Sequence, residues 1–231
     1  MKILVIVPSY NEERSIGNVI KNLRDNFPQG DIIVVNDGSS DDTSQIVKDL
    51  GIVVIDLPYN LGIGGAMQTG FIYALENSYD VAIQFDGDGQ HVAEEISKIL
   101  KPHMQNGTDL VVGSRFLSET GFTSSVQRKI GSKILSFIVS SLVGKRVTDT
   151  TSGFRVYGKR AIERFSSIYP EDYPEVEALV IAHKMGLRIE EVPSRIMPRM
   201  FGKSSITTYE AVYYMVKVVL AIFVDLLKKF D

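Results

Sequence analysis

Four short runs of β-branched and aliphatic residues recur in the first 90 positions: Ile3 to Val7, Ile32 to Val35, Val53 to Asp56 and Val81 to Phe85. Helical stretches separate them, at about 12–26, 41–50 and 64–76. Apolar runs closed by turn residues fit strands buried on both faces. Strand, helix, strand alternation folds into a mostly parallel sheet with helices on both faces, so the fold class is α/β. In such sheets the loops after the strand C-termini build the ligand site. Those loops read PSYNEE, NDGSSDDT, LPYNLGIGG and DGDGQH, and they hold the informative polar clusters of the first half.

The second half is less regular. Leu110 to Val112 reads as a strand, Val126 to Val143 as a helix, and TDTTSGFRVY from Thr148 as a loop. At 231 residues the chain suits one large α/β domain or two small ones, and no repeat or Pro/Gly/Ser linker marks a boundary. A net charge of −3 leaves no basic excess to hold a nucleic-acid backbone, so no nucleic-acid partner is expected. The absence of cysteine excludes disulfides, thiol nucleophiles and thiolate metal sites. The N-terminal apolar run is too short for a signal-peptide core, and the expected location is the cytoplasm.

The sharpest chemical signal is Asp86 and Asp88 in DGDGQH, two carboxylates one residue apart at the end of an apolar run. Anions this close repel unless a cation sits between them. Oxygen donors select a hard divalent ion, Mg²⁺ or Mn²⁺, with positions left for diphosphate oxygens. Gln90 and His91 add a neutral ligand or a contact behind it, and the bland alternative is a solvated Asp-Gly turn. Asp37 sits directly after the second run and suits a nucleobase or ribose contact. Ser40, Asp41 and Asp42 read as helix caps. GxGxxG does not occur, since Leu61-Gly62-Ile63-Gly64-Gly65-Ala66 only comes near it, so a dehydrogenase finds little support. His91, His103 and His183 share no metal-ligand spacing, and no Ser-His-Asp arrangement suggests a hydrolase. Arg128 and Ser132 are four apart, on one helical face, and suit a shared grip on one phosphate.

Six segments together resemble the family-2 inverting glycosyltransferases of GT-A fold: PSYNEE (8–13), VVNDGSSDDT (34–43), NLGIGGAMQTGF (60–71), DGDGQH (86–91), GSRF (113–116) and TSGFR (151–155). The similarity runs over about residues 3–205 and is greatest to the dolichyl- and polyprenyl-phosphate sugar synthases. The QxxRW signature of processive members is absent, which favours the lipid-phosphate branch over polysaccharide synthases. The resemblance implies that Pro8, Tyr10, Glu12 and Asp37 hold the nucleotide, with Tyr10 near the base. It implies that Asp86, Asp88 and Gln90 hold the metal and donor diphosphate, and that Arg115, Arg128 and Ser132 meet the acceptor. Asp149 matches a carboxylate near the reacting centre, to orient the acceptor or act as base. Arg199 and Lys203 flank Gly202 on a loop that would cover the diphosphate as the site closes.

The implied reaction moves a hexose or N-acetylhexosamine from a UDP- or GDP-linked donor to undecaprenyl or dolichyl phosphate, with inversion and metal dependence. The alternative is transfer to a glycan hydroxyl. The expected layout is a catalytic domain over 1–205, with a nucleotide-sugar half to 112 and an acceptor half from 113, followed by an amphipathic membrane-proximal helix over 206–231. From Ala211 to Val224 only Lys217 is charged, and this stretch spans about 21 Å as a helix, short of the roughly 30 Å hydrocarbon core. Tyr209, Tyr213 and Tyr214 suit an interface, and Lys228 and Lys229 suit anionic head groups. A second surface is the 126–143 helix, where Val126, Ile130, Ile134, Ile138 and Leu142 form a stripe beside Arg128, Lys129 and Lys133. Either helix packs into the core or a homo-oligomer, or meets the membrane, there with or without a small membrane-protein partner.

Overall fold

The computed structural model describes residues 1–117, 126–197 and 208–228. Among them, β1 (Ile3–Ser9), β2 (Asp31–Asn36), β3 (Val53–Asp56), β4 (Val81–Gln84), β5 (Leu110–Ser114), β6 (Arg155–Gly158) and β7 (Ile189–Pro193) make one sheet, ordered β3-β2-β1-β4-β6-β5-β7. The helices are α1 (Ile16–Asn26), α2 (Thr43–Asp49), α3 (Gly62–Glu76), α4 (Ile96–Asn106), α5 (Val126–Val143), α6 (Lys159–Ser167), α7 (Pro174–Lys184) and α8 (Thr208–Leu227).

The expected α/β class and mostly parallel sheet are observed. β1 pairs with β2 on one side and β4 on the other, both parallel, and β2 pairs with β3 in parallel. The four loops that follow these strands therefore emerge from one edge of the sheet. Strand order reverses at β1, and this is where open α/β sheets leave a crevice for ligands. The segment TDTTSGFRVY is not all loop: its end forms β6, inserted antiparallel between β4 and β5. The strand is hard to read because it starts at Arg155, whose guanidinium is fully buried. Its Nε and Nη2 donate to the carbonyl oxygens of Ser152, Thr150 and Glu175, while Nη1 is buried without a hydrogen-bond partner. The expected seam at 112/113 falls inside β5, so the two halves share one sheet.

Alternation along β1 sorts the core into two layers. Leu4 and Ile6 face Met67 and Phe71 of α3, the α6 residue Phe165 and the inner sides of α5, α7 and α8. Ile3, Val5 and Val7 face Ile16, Ile20 and Leu23 of α1, Val47 of α2 and Ile99 of α4. In α1 the buried residues fall at 16, 19, 20 and 23, the spacing of one helical face. Gly70 lets α3 sit directly on β1, because a Cβ there would lie 2.5 Å from Ile6 Cγ2.

The C-terminal segment is helical, as expected, but its described outer face is not polar. Val218, Ile222 and Asp225 turn inward, while Val216, Leu220, Phe223, Val224 and Leu227 are exposed. Next to it, α5 buries Leu135, Val139 and Val143 and exposes Ile130, Ile134 and Phe137, the last at 75%. Val126 and the side chains of Arg128, Lys129, Tyr209, Tyr213 and Tyr214 lie outside the described side chains, and Lys229 lies outside the described residues. Among the described residues no helix is long and apolar enough to cross a membrane.

Two acids help decide how α8 docks. Glu177 of α7 and Asp225 of α8 are both buried, and Lys184 of α7 donates to the Asp225, Leu226 and Lys228 carbonyls at the end of α8. Lys228 Nζ donates to Asp225 Oδ1 at 2.7 Å. Burial, reinforced by the neighbouring Asp225, raises the Glu177 pKa from 4.5 to about 7. The folded chain therefore holds a proton here that the unfolded chain gives up above 4.5. This contribution to stability is fully present below that value and is lost as pH rises through about 7. Glu177→Gln stays neutral throughout. Relative to this variant, the wild type is expected to lose on the order of 2 kcal/mol between pH 5 and pH 8 in urea unfolding. Parallel pH profiles for the two proteins would contradict this.

Candidate active site

The first three loops lock together through short polar contacts. Asn11 holds a left-handed φ of 55°, which its residue type tolerates. Its backbone N–H donates to Ser39 Oγ, and its Oδ1 accepts from Ser40 N–H, both at 2.9 Å. Glu12 N–H donates to Thr43 Oγ1 at 2.8 Å. Asp37 is buried, and its Oδ1 accepts the Leu61 N–H at 2.7 Å, so it ties the second loop to the third. Gly38, at φ 69°, lies against Tyr59 and Asn60, where a Cβ would sit 2.7 Å from Asn60 N. Pro8 is buried at the end of β1, and Tyr10 presents an exposed ring at the rim of this platform.

The fourth loop joins the first at its root. Gly87 N–H reaches Pro8 O, and a Cβ on Gly87 would lie 2.5 Å from Ser9 Oγ. Asp86 is 28% exposed. Gln84 Nε2 approaches Asp86 Oδ1 at 3.4 Å, and His91 Nε2 faces Oδ2 at 3.5 Å. Gly153 stands on a further side, where a Cβ would be 2.7 Å from Asp86 Oδ2. Asp88 Oδ1 accepts the Gln90 N–H at 3.0 Å. Gln90 Nε2 turns towards Met197 O at 3.4 Å, leaving the amide oxygen on the other side. Burial lowers the His91 pKa to about 4, against the raising influence of Asp88, so the imidazole is neutral.

This donor set suits a hard divalent cation. Asp86, Asp88 and Gln90 offer oxygen atoms on one short loop, half-buried and flanked by glycines. Among the described residues no group of three His, Cys, Asp or Glu gathers to make a full protein cage. An incomplete oxygen set is what Mg²⁺ or Mn²⁺ uses when a phosphate supplies the remaining ligands.

The other wall comes from β5, the 148–153 loop and α7. Arg115 follows β5 and grips Asp149 with two hydrogen bonds, Nε to Oδ2 at 2.7 Å and Nη2 to Oδ1 at 2.6 Å. The Arg115 N–H adds a third to Oδ2, and Nη2 also reaches Thr151 Oγ1. Asp149 is fully buried, with both oxygens taken up by Arg115. Burial alone would lower the Arg115 pKa, yet the Asp149 carboxylate carries it above its usual value. Glu191 of β7 holds the loop from behind, accepting the N–H groups of Thr148 and Asp149 at 2.7 and 2.8 Å. Ser132 is half-buried on α5. The side chain of Arg128, and both Arg199 and Lys203, lie outside the described residues.

Sequence reasoning missed three contributors. Glu175 lies in the first turn of α7, where its backbone oxygen accepts from Arg155 Nη2 at 2.6 Å; its pKa is raised by burial and also by the Asp86 charge, against Arg155 and Arg115. Glu191 and Gln84 act on partners distant in sequence or hidden inside a strand. Pro174 at the first turn of α7 was a usable signal for Glu175, because it marks a helix N-terminus with an acid in the first turn.

A family model described as Glycosyl transferase family 2 matches residues 4–166. A Methanococcus voltae protein named UDP-N-acetylglucosamine--dolichyl-phosphate N-acetylglucosaminyltransferase is 38% identical over 211 residues, covering 83% of this chain and 84% of its own. The undecaprenyl-phosphate mannosyltransferase of Micrococcus luteus is 32% identical over 217 residues, covering 90% and 88%. Among solved structures, glucosyl-3-phosphoglycerate synthase from Mycobacterium tuberculosis, in complex with Mn²⁺, UDP and glucosyl-3-phosphoglycerate, superimposes with a TM-score of 0.74. It does so at 19% identity over 97% of this chain and 79% of that one.

Removing one partner of a buried ion pair leaves the other charge uncompensated, at a cost of about 3 kcal/mol or more. Asp149→Ala and Arg115→Ala are each expected to destabilise the fold, and their combination less than the sum. Urea unfolding of the double-mutant cycle should give a coupling of about 1 to 3 kcal/mol. Additive losses would mean that the pair contributes nothing as a unit.

Proposed function

Because the chain belongs to glycosyl transferase family 2, we propose that it moves a hexose or N-acetylhexosamine from a UDP- or GDP-linked donor to a polyprenyl phosphate, undecaprenyl or dolichyl in type, with inversion. The GT-A fold supplies the donor platform. Pro8, Tyr10, Glu12 and Asp37 line the nucleotide, with the exposed Tyr10 ring beside the base. Asp86, Asp88 and Gln90 hold Mg²⁺ or Mn²⁺, which when bound neutralises charge on the departing diphosphate. Arg199 and Lys203 cover that diphosphate.

On the acceptor side, Arg115, Arg128 and Ser132 hold the lipid phosphate. One of its oxygens attacks the anomeric carbon opposite the leaving group. The bond from that carbon to the diphosphate oxygen breaks, and its electron pair departs with the nucleoside diphosphate. The nucleophile is already anionic near neutral pH, so no strong base is needed. Asp149 acts through Arg115, aiming the guanidinium at the phosphate rather than taking a proton. The work of the chain is orientation and charge stabilisation.

The observation that carries the lipid reading is the apolar face of α5 and α8. Ile130, Ile134 and Phe137 of α5 and Val216, Leu220, Phe223, Val224 and Leu227 of α8 are all exposed, on two helices that touch, and exposed apolar surface of this kind marks an interaction surface. The exposed charged side chains described on these helices and just beyond them, Lys133, Lys145, Arg146, Lys217 and Lys228, are all cationic. Ser132 of the acceptor site lies on α5 itself. Apolar and cationic side chains exposed on the same two helices fit an anionic bilayer, and docking there would bring the phosphate of an embedded lipid to the acceptor wall. We place the enzyme as a peripheral protein at the cytoplasmic face of the membrane.

One observation favours transfer to a glycan hydroxyl instead. Glu175 is a carboxyl whose pKa is raised by burial and by the charge of Asp86, and a hydroxyl nucleophile needs such a base. Incubation with UDP-glucose, UDP-N-acetylglucosamine or GDP-mannose, with Mn²⁺ and a short polyprenyl phosphate, should yield a lipid-linked sugar phosphate detectable by mass. Product from a glycan acceptor and none from the lipid would instead establish the second reading.

Vesicle binding tests the surface. The protein should sediment with vesicles containing phosphatidylglycerol and much less with phosphatidylcholine alone. Joint replacement of Phe137, Leu220 and Phe223 by Ser should reduce binding about tenfold or more, with the fold retained by circular dichroism. Undiminished binding by the triple variant would remove this face from the membrane. A stable dimer, or dependence on an added small membrane protein, would assign the face to those partners.

A further inference from the structure

The sequence offers His91 as a neutral ligand or a contact behind one, and in the structure both of its ring nitrogens address the same residue. Nδ1 accepts the backbone N–H of Asp86 at 3.0 Å. A nitrogen that accepts carries no proton, so the neutral ring bears its proton on Nε2. Nε2 faces Asp86 Oδ2 at 3.5 Å. The ring is 7% exposed, stacked on Phe154 with centroids 4.8 Å apart and set edge-on to Phe85 at 5.3 Å. Those two rings also pack edge to face with each other, at 5.6 Å. A histidine that merely filled core space would not present one nitrogen to the main chain and the other to the side chain of a single aspartate.

The opposite oxygen of Asp86 is addressed in the same manner. Tyr157 Oη donates to Gln84 Oε1 at 3.1 Å and meets Tyr169 Oη at 3.3 Å. This fixes the Gln84 amide so that Nε2 points to Asp86 Oδ1. Gly153 leaves the room that both oxygens need.

We propose that His91 is a positioning residue for Asp86, clamping its main chain and its carboxylate together so that one oxygen is presented to a divalent cation. The proposal rests on the reading of Asp86 as a metal ligand. It extends that reading to the group that sets the carboxylate's direction, a kind of contact whose loss typically weakens metal binding by about 10 to 100-fold.

The test measures how nucleotide binding depends on Mn²⁺, with no transfer reaction involved. UDP and GDP are titrated by calorimetry at stepped Mn²⁺ concentrations and again in chelator. His91→Phe keeps the stacking on Phe154 and loses both nitrogens. His91→Asn keeps an acceptor near the Nδ1 position, and His91→Gln brings an amide N–H near the Nε2 position. The expected result is a shift of about 10 to 100-fold in the Mn²⁺ concentration for half-maximal binding with His91→Phe. Affinity in chelator should be unchanged, and smaller shifts are expected for the Asn and Gln variants. A Mn²⁺ dependence identical to wild type in His91→Phe would overturn the proposal. If that variant does not fold, identical dependence in both amide variants would overturn it. Wild-type binding that ignores Mn²⁺ would overturn the metal reading itself, and this proposal with it.

Discussion

Two carboxylates one residue apart, at the mouth of a low-dielectric sheet, repel each other by an amount that no neutral neighbour removes. Much of the site is organised around keeping Asp86 and Asp88 where they are. Asp86 is flanked by a neutral imidazole, an amide and a glycine, groups that orient the carboxylate without neutralising it. Held in direction this way, the two carboxylates suit a divalent cation.

The sheet order supplies the geometry. With β4 beside β1, the loop bearing the two aspartates meets Pro8 at the end of β1, from which the loop bearing Tyr10 leaves, and the loops after β2 and β3 extend the same rim. The opposite wall is built by a different principle. β6 runs antiparallel between β4 and β5, so the chain enters it from the rim, and this delivers Asp149 and Gly153 to the site. Arg115 is then held by Asp149, and the Asp149 loop by Glu191 of β7. One wall is anionic and the other carries a guanidinium fixed in direction. A phosphate and a metal-bound diphosphate can face each other between such walls.

The legible part of the chain was the part whose signals are local. β1, β2 and β4 announce themselves because strands buried in the sheet need apolar runs, β3 carries such a run although it is the half-exposed edge strand, and the loops of all four need Gly, Asn and Asp. The Asp86 and Asp88 pair was legible for the same reason: both partners in the repulsion are adjacent. β6 was not, since Arg155 interrupts its apolar pattern and finds its acceptors only in the folded chain. Nor was the service of Glu191 to Asp149, which joins residues far apart in sequence. Helix α8 marks a third kind of limit. Its residues are apolar nearly all round, so composition gave a helix, while only packing could reveal that Val218 and Ile222 turn inward and Leu220 and Phe223 outward.

The central claim is that the Asp86 and Asp88 carboxylates form a divalent-cation site completed by a nucleoside diphosphate. Crystals grown with Mn²⁺ and UDP or GDP, with anomalous data collected at the manganese edge, test it without any assay. The account predicts one strong peak between the Asp86 and Asp88 carboxylates, in contact with diphosphate oxygens. A bound nucleotide with no peak there, or with manganese elsewhere in the chain, would contradict it.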